Sequence, residues 1–104
     1  MGFESVVYFA REQDAVTTLE RLRSCAYVVH DQQDAVWLRD EQNHGVWTYD
    51  VRVFLHPGNS LLIEVSLTSH ALLQAAEQAL QDSEYSVTPL GDDDTISLAE
   101  AFRL

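Results

Sequence analysis

The chain has 104 residues, of which 46% are hydrophobic, and its 17 acidic residues outnumber its six arginines to give a net charge of -11. The apolar content excludes a disordered acidic tail, because such tails lack the side chains that offset the entropy cost of ordering. The charge argues against binding to DNA, RNA or an anionic membrane surface, since those partners attract clustered basic side chains. The length predicts one domain, residues 1–104, built on a single core.

The N-terminal third of the chain predicts a strand, a helix and two short apolar runs, of which one or both form strands. Phe3–Ala10 is rich in Val and aromatic residues and too short for a helix, which indicates a buried strand. Asp14 is expected to cap a helix over residues 14–24, in which apolar residues recur every three or four positions. Ala26–His30 and Ala35–Arg39 are short apolar runs on either side of a polar turn.

The middle of the chain alternates between apolar and polar residues. Every second residue is apolar over Trp47–Leu55, and the alternation resumes over Leu61–Leu67 after the turn residues His56–Asn59. Each run therefore predicts a strand with one buried and one solvated face, and together they predict an antiparallel hairpin. A further turn over residues 42–45 adds Ala35–Arg39 as the first strand of a three-stranded meander. The residues predicted to face the helices are Trp47, Tyr49, Val51, Val53, Leu61, Ile63 and Val65.

The C-terminal third predicts two more helices and a strand. Thr68 or Ser69 is expected to cap an Ala-rich amphipathic helix. Tyr85–Val87 then alternates briefly, and the proline that follows suits an edge strand. Ser97 and Glu100 have the spacing of a capping box, which predicts a short terminal helix.

This order of elements predicts an α+β fold, because helices covering one face of a sheet explain the one-sided alternation of its strands. We expect an antiparallel sheet of about five strands with two main helices on one face. The expected layout is a ferredoxin-like βαββαβ arrangement with one extra strand and a short C-terminal helix.

The metal-binding and nucleophilic residue types are scattered. The four histidines show neither HxH nor helical i, i+4 spacing, so no metal site is predicted. The only cysteine, Cys25, rules out an intramolecular disulfide and is expected to be a small buried hydrophobe. Cys25 and His30 could imitate a thiol–imidazole pair, but no motif fixes their geometry. The histidines are His30, His44, His56 and His70.

Catalytic and cofactor motifs are missing from the sequence. It contains no GxGxxG, GxxxxGK[ST] or GxSxG pattern, and Asp92–Asp94 lack the spacing of an EF-hand calcium loop. With so many acids, any chosen pair of carboxylates is an unspecific sign of acid–base catalysis. We therefore expect neither an enzyme nor a cofactor.

The N-terminus also lacks the features of a secretory signal. No basic leader precedes the apolar run Phe3–Ala10, and no small-residue cleavage site follows it. Its eight residues fall short of the roughly 20 that span a bilayer. The expected location is the cytoplasm.

The negative charge is unevenly distributed. Residues 1–40 hold seven acids and four arginines, a net of -3, whereas residues 41–104 hold ten acids and two arginines, a net of -8. Such a surface either serves solubility alone or steers a basic partner into an oriented encounter. Trp37 and Trp47 flank one predicted turn and are either core residues or interface anchors. The candidate partner-binding acids are Asp40, Glu41, Asp50, Glu64, Glu84, Asp92, Asp93 and Asp94.

A small acidic domain without catalytic motifs resembles the immunity proteins of bacterial toxin systems. These include the antidotes to contact-dependent and type VI effectors and the barstar-like nuclease inhibitors. The resemblance covers the whole chain and is to the class, with no motif that assigns a role to a residue. It implies a preformed acidic surface that covers the basic active site of a cognate toxin, often a nuclease.

The alternative is a small housekeeping or regulatory module that forms a homodimer through its sheet. It is supported by apolar residues that interrupt the solvated register of the predicted hairpin. These residues are Val46, Phe54 and Leu62. Gene neighbourhood separates the two hypotheses, since an immunity gene is expected beside a toxin gene.

Overall fold

A computed structural model describes residues 2–43 and 48–104, and it confirms the predicted α+β class. Six strands form one antiparallel sheet in the order β2-β3-β4-β5-β1-β6. The elements are β1 (Phe3–Phe9), α1 (Asp14–Arg23), β2 (Val28–Gln32), β3 (Ala35–Leu38), β4 (Val51–His56), β5 (Ser60–Val65), α2 (His70–Ala79), β6 (Tyr85–Pro89) and α3 (Leu98–Ala101).

The sheet has six strands where the sequence predicted about five. The extra strand is β2, which pairs with β3 and extends the predicted three-stranded meander to four strands. β1 lies between β5 and β6 and is antiparallel to both. The two edges of the sheet are therefore β2 and β6.

The core lies between one face of the sheet and the helices. Val51 and Val53 of β4 join Leu61, Ile63 and Val65 of β5 in one buried cluster, as the alternation predicted. Burying an aliphatic side chain of this size contributes about 1.5–3 kcal/mol relative to leaving it exposed. The helices contribute the remaining buried residues of this cluster, which include Leu19, Leu22, Leu72, Leu73, Ala76, Leu98 and Phe102.

Two of the three described helices, α2 and α3, begin at a serine side chain that caps them, as predicted. The Ser69 hydroxyl accepts the Leu72 backbone N–H at 3.1 Å at the start of α2. Ser97 and Glu100 form a reciprocal capping box at the start of α3. The prediction that Asp14 caps α1 is wrong, since Asp14 lies inside the first turn, where its charge still complements the helix dipole.

The predicted strand from Trp47 begins later in the structure, at Val51. Tyr49 was expected to face the helices, but its ring contacts Trp37 and Arg52 on the opposite face. The two-residue period fails before Val51 because the preceding loop closes around the Asp50 carboxylate, as described below. The expectations for residues 44–47, which include Trp47, lie outside the described residues.

Cys25, expected to be a small buried hydrophobe, packs against the core but is only half-buried. It lies two residues after the end of α1, and its backbone N–H donates to the Leu22 carbonyl at 3.1 Å.

The Thr18→Val variant is expected to raise the free energy of unfolding by about 1 kcal/mol. The buried Thr18 hydroxyl has no hydrogen-bond partner among the described residues, and removing such a group relieves its desolvation cost. The adjacent cavity, about 10 Å³ in volume, is at the lower limit for holding a water. Urea denaturation measures the change. Thr18→Ser is the control, because it keeps the hydroxyl, loses a methyl group and should lower stability; a less stable Thr18→Val would contradict the assignment.

Candidate partner-binding surface

The predicted acidic residues are not gathered on one surface. Glu41 and Glu84 are exposed, as is the run Asp92–Asp94, whereas Asp40 and Glu64 are half-buried and Asp50 is buried. Glu84 and Asp92–Asp94 lie at opposite ends of the edge strand β6, because they precede and follow it. Only part of the predicted set is therefore free to meet a partner.

Asp50 stabilises a loop. Its side chain is 1% exposed, although the sequence placed it on a solvated strand face. The Asp50 Oδ2 atom accepts the Asp40 backbone N–H at 2.8 Å and the Asn43 amide N–H at 3.2 Å. These two donors surround the carboxylate, so Asp50 is excluded from the partner-binding surface.

Asp40 joins this loop to the start of α2. The Ser69 hydroxyl donates to Asp40 Oδ2 at 2.7 Å, and the Gln42 backbone N–H donates to Asp40 Oδ1 at 3.0 Å. The hydrogen bond from Ser69, followed by that from Gln42, holds the pKa of Asp40 below its ordinary value, because both bonds favour the carboxylate. Ser69 therefore acts both as helix cap and as loop anchor.

The Ser69→Ala variant is expected to lose about 1 kcal/mol of stability at neutral pH through loss of the helix cap. As the pH is lowered, the free energy of unfolding of the variant should also fall less steeply than that of the wild type. The folded-state pKa of Asp40 is depressed, so its contribution is present above the unfolded pKa and is lost as pH falls through the folded pKa, below about pH 4. Urea midpoints measured from pH 7 down to about pH 3 test this difference. The control is Thr68→Ala at the exposed neighbour, and parallel pH curves for Ser69→Ala and the wild type would contradict the coupling.

The face of the sheet opposite the helices, called here the open face, carries one central ion pair. Arg52 Nε donates to Glu64 Oε1 at 2.7 Å, and the Tyr49 hydroxyl donates to the same oxygen at 3.2 Å. The Arg52 guanidinium lies 4.4 Å from the ring centre of Tyr49, 5.3 Å from Trp37 and 5.4 Å from Phe54. Three aromatic rings and a carboxylate thus hold Arg52, and Glu64 is already neutralised within the protein.

An apolar row crosses the open face beside this ion pair. Ala35, Phe54, Leu62 and Val6 are aligned across β3, β4, β5 and β1, and Tyr8 follows Val6 on the same face. Val6 and Ala35 are buried but belong to no part of the helix-facing core. Tyr8 is 46% exposed. We call these five residues the open-face stripe.

The sequence predicted only part of this stripe. Phe54 and Leu62 stood out as apolar residues in a polar register, and the structure places both on the open face. Val6 and Tyr8 were missed because β1 is apolar along nearly its whole length, so alternation carries no information there. The sequence holds one signal for them: they fall at every second position after Glu4, an acidic residue that favours the solvated face of the same strand.

A carboxylate flanks the stripe on β1. Glu4 lies directly opposite Glu64 on β5, and its backbone carbonyl accepts the Leu90 N–H at 3.0 Å. The loop after Leu90 continues into Asp92–Asp94, where Asp92 Oδ1 accepts the backbone N–H groups of the next two residues. Glu4 therefore places a carboxylate beside Val6, on the same face of β1 as the open-face stripe.

The His30 ring lies 4.7 Å from that of Trp37, which faces it across the β2–β3 pair. No group of three His, Cys, Asp or Glu side chains suited to a metal occurs among residues 2–43 and 48–104. Within the same described ranges, no helix combines the length and apolar character needed to cross a membrane.

Comparison with known proteins gives no match to a family model, a curated protein or a solved structure. The functional interpretation therefore rests on the chemistry of the surface described above.

Proposed function

We propose that this protein is a non-enzymatic binding protein that neutralises a basic protein partner, as an immunity protein neutralises a nuclease-like bacterial toxin. One observation carries the proposal: most of its carboxylates have no cation of their own. Among the described residues, the ion pairs engage only Glu20, Asp31 and Glu64, out of 17 acidic residues in the chain. The exposed carboxylates among the others are available to a partner.

The arginines do little to neutralise this charge, because several are held by other groups. Arg21 donates to the carbonyl oxygens of Ala79 and Gln81, and Arg103 lies over the ring of Phe3. An acidic surface of this kind can occupy a site built for phosphate groups, since carboxylates present similar charge and acceptor oxygens. Covering such a site blocks a nuclease without any chemistry in the inhibitor. The cytoplasm, where a toxin would meet its substrate, is the location that this proposal implies.

Co-expression with the product of the adjacent gene tests the function. The proposal predicts a complex that purifies as a unit and cells that survive expression of the neighbour only when this protein is present. An adjacent product that is harmless, or one that kills cells equally with and without this protein, would contradict the proposal.

Reversing Asp92, Asp93 and Asp94 together to Lys is expected to lower the association rate with that partner by about tenfold or more at low salt. Exposed rim charges act mainly by steering, which salt screens over about 8 Å at physiological ionic strength. Stopped-flow association at several salt concentrations measures both effects.

The matched control for this reversal changes three exposed acids elsewhere by the same total charge. Equal rate losses in the two triple variants would show that the loop after β6 is not at the interface and that only net charge matters. The control residues are Glu12, Asp34 and Glu77.

A sheet-mediated homodimer is the second candidate, and the exposed ring of Tyr8 beside half-buried Phe54 and Leu62 favours it. An apolar surface of this kind is a common feature of interfaces. Sedimentation at micromolar concentration distinguishes the candidates, since a dimer requires twice the monomer mass in the absence of any partner.

A further inference from the structure

We propose that the basic partner docks on the open face of the sheet, with the open-face stripe at the centre and a Lys or Arg side chain of the partner at Glu4. This inference rests on the proposed function and identifies the surface that performs it.

The open-face stripe has the anatomy of an interface centre. Stable interfaces place aromatic and aliphatic side chains at the middle and polar groups around them. Here 46% of the surface of Tyr8 is exposed, whereas Val6, two residues earlier on the same strand face, is 2% exposed. The helices cover the other face, so this layer has no cover from the helices of its own chain.

Glu4 supplies the electrostatic argument. Like charges directly opposite each other on neighbouring strands destabilise a sheet, and Glu4 faces Glu64 in this way. Arg52 compensates Glu64, but no basic side chain among the described residues forms an ion pair with Glu4. Glu4 is therefore the carboxylate of this opposed pair that remains available to a cation from a partner.

The same charges argue against a second copy as the occupant. Two open faces brought together would place Glu4 of both chains at one interface. Each copy also carries a net charge of -11. A basic surface with an apolar centre complements this face, whereas an identical acidic one does not.

The test measures binding of the purified adjacent gene product to surface variants. Tyr8→Ser is expected to weaken binding by at least about tenfold, mostly through faster dissociation, because central aromatic residues dominate interface energies. The control is Val16→Ser on α1, a residue that is 48% exposed and lies away from the open face. It should bind as the wild type does.

A second pair of variants tests the charge. Glu4→Gln should weaken binding while leaving the urea midpoint equal to or above that of the wild type, a combination that a purely structural role would not produce. Glu77→Gln, an exposed acid on α2, makes the same charge change and should leave binding nearly unchanged. Circular dichroism shows whether each variant is folded, and Leu62→Thr provides a second stripe variant should Tyr8→Ser fail to fold.

The outcomes separate this inference from the proposed function. If the wild type binds and Tyr8→Ser, Leu62→Thr and Glu4→Gln bind equally well, the docking face is wrong and the proposed function stands. If the wild type does not bind the adjacent product, both fall. If the wild type is a dimer that Tyr8→Ser converts to monomers, a second copy of this chain occupies the open face and the inference is overturned.

Discussion

Phe102→Ala is expected to lower the free energy of unfolding by about 3–5 kcal/mol, the range for deleting a buried aromatic side chain. Phe102 directly follows the four-residue helix α3 and is 1% exposed, with Val7, Leu61 and Ala76 lining the same small cavity. So short a helix has little intrinsic stability, and its attachment to the core depends on this ring. Urea denaturation followed by circular dichroism measures the loss.

Leu104→Ala is the control for Phe102→Ala, because it truncates an apolar side chain two residues away that is 38% exposed. It should cost well under 1 kcal/mol, as substitutions at exposed sites do. Similar small losses for both variants would show that α3 is peripheral and that the C-terminal segment does not complete the core.

Ile63→Ala is expected to lower the free energy of unfolding by about 2–5 kcal/mol, since it removes buried methyl groups and leaves a cavity. Ile63 is 3% exposed and pairs across the sheet with Val53 and Ser5. The matched variant is Leu62→Ala, one residue earlier on the half-buried open face, where the cost should be clearly smaller.

This pair of variants tests the register of β5, because a one-residue slip exchanges the two faces of a strand. Denaturant midpoints from the same urea titration compare them directly. A larger loss for Leu62→Ala than for Ile63→Ala would reverse the assignment of the helix-facing side.

The strands of the central hairpin could be predicted because one face is buried and the other is solvated. Because of this contrast, every second residue of Val51–Leu55 and Leu61–Val65 is apolar. In the structure, Val51, Val53, Leu61, Ile63 and Val65 of these runs lie in the core. For β1 the sequence predicted a strand but not which of its faces is buried, since apolar residues occur on both faces. The edge strand β2 was recognised as a short run, but its pairing with β3 was not included in the predicted meander.

The loop before β4 could not be predicted, because its conformation depends on contacts between distant residues. Asp50 has the sequence context of a solvated strand residue, yet its carboxylate collects donors from Asp40 and Asn43. Ser69 contributes a further link across 29 positions in the chain. The periodicity of apolar residues indicates which residues of a strand or helix are buried. It carries no information about hydrogen bonds between residues that are distant in the sequence.

The sequence predicted that the candidate surface is acidic but not how its acidic residues are arranged. The surplus of acids is a property of composition, whereas the partners of each acid depend on the fold. Glu64 is held by Arg52, and Glu4, which was not among the predicted residues, is left opposite it. Alternation within β1 places Glu4 on the same face as Tyr8, but only the register of β1 against β5 places it opposite Glu64.

Titration of the adjacent gene product's toxic activity with this protein tests the central claim most directly. The account predicts that activity falls linearly and is abolished near one molar equivalent, with inhibition weakened by Glu4→Gln and Tyr8→Ser but not by Glu77→Gln. Full activity in a large molar excess of the folded wild-type protein would contradict the claim that it neutralises a basic partner.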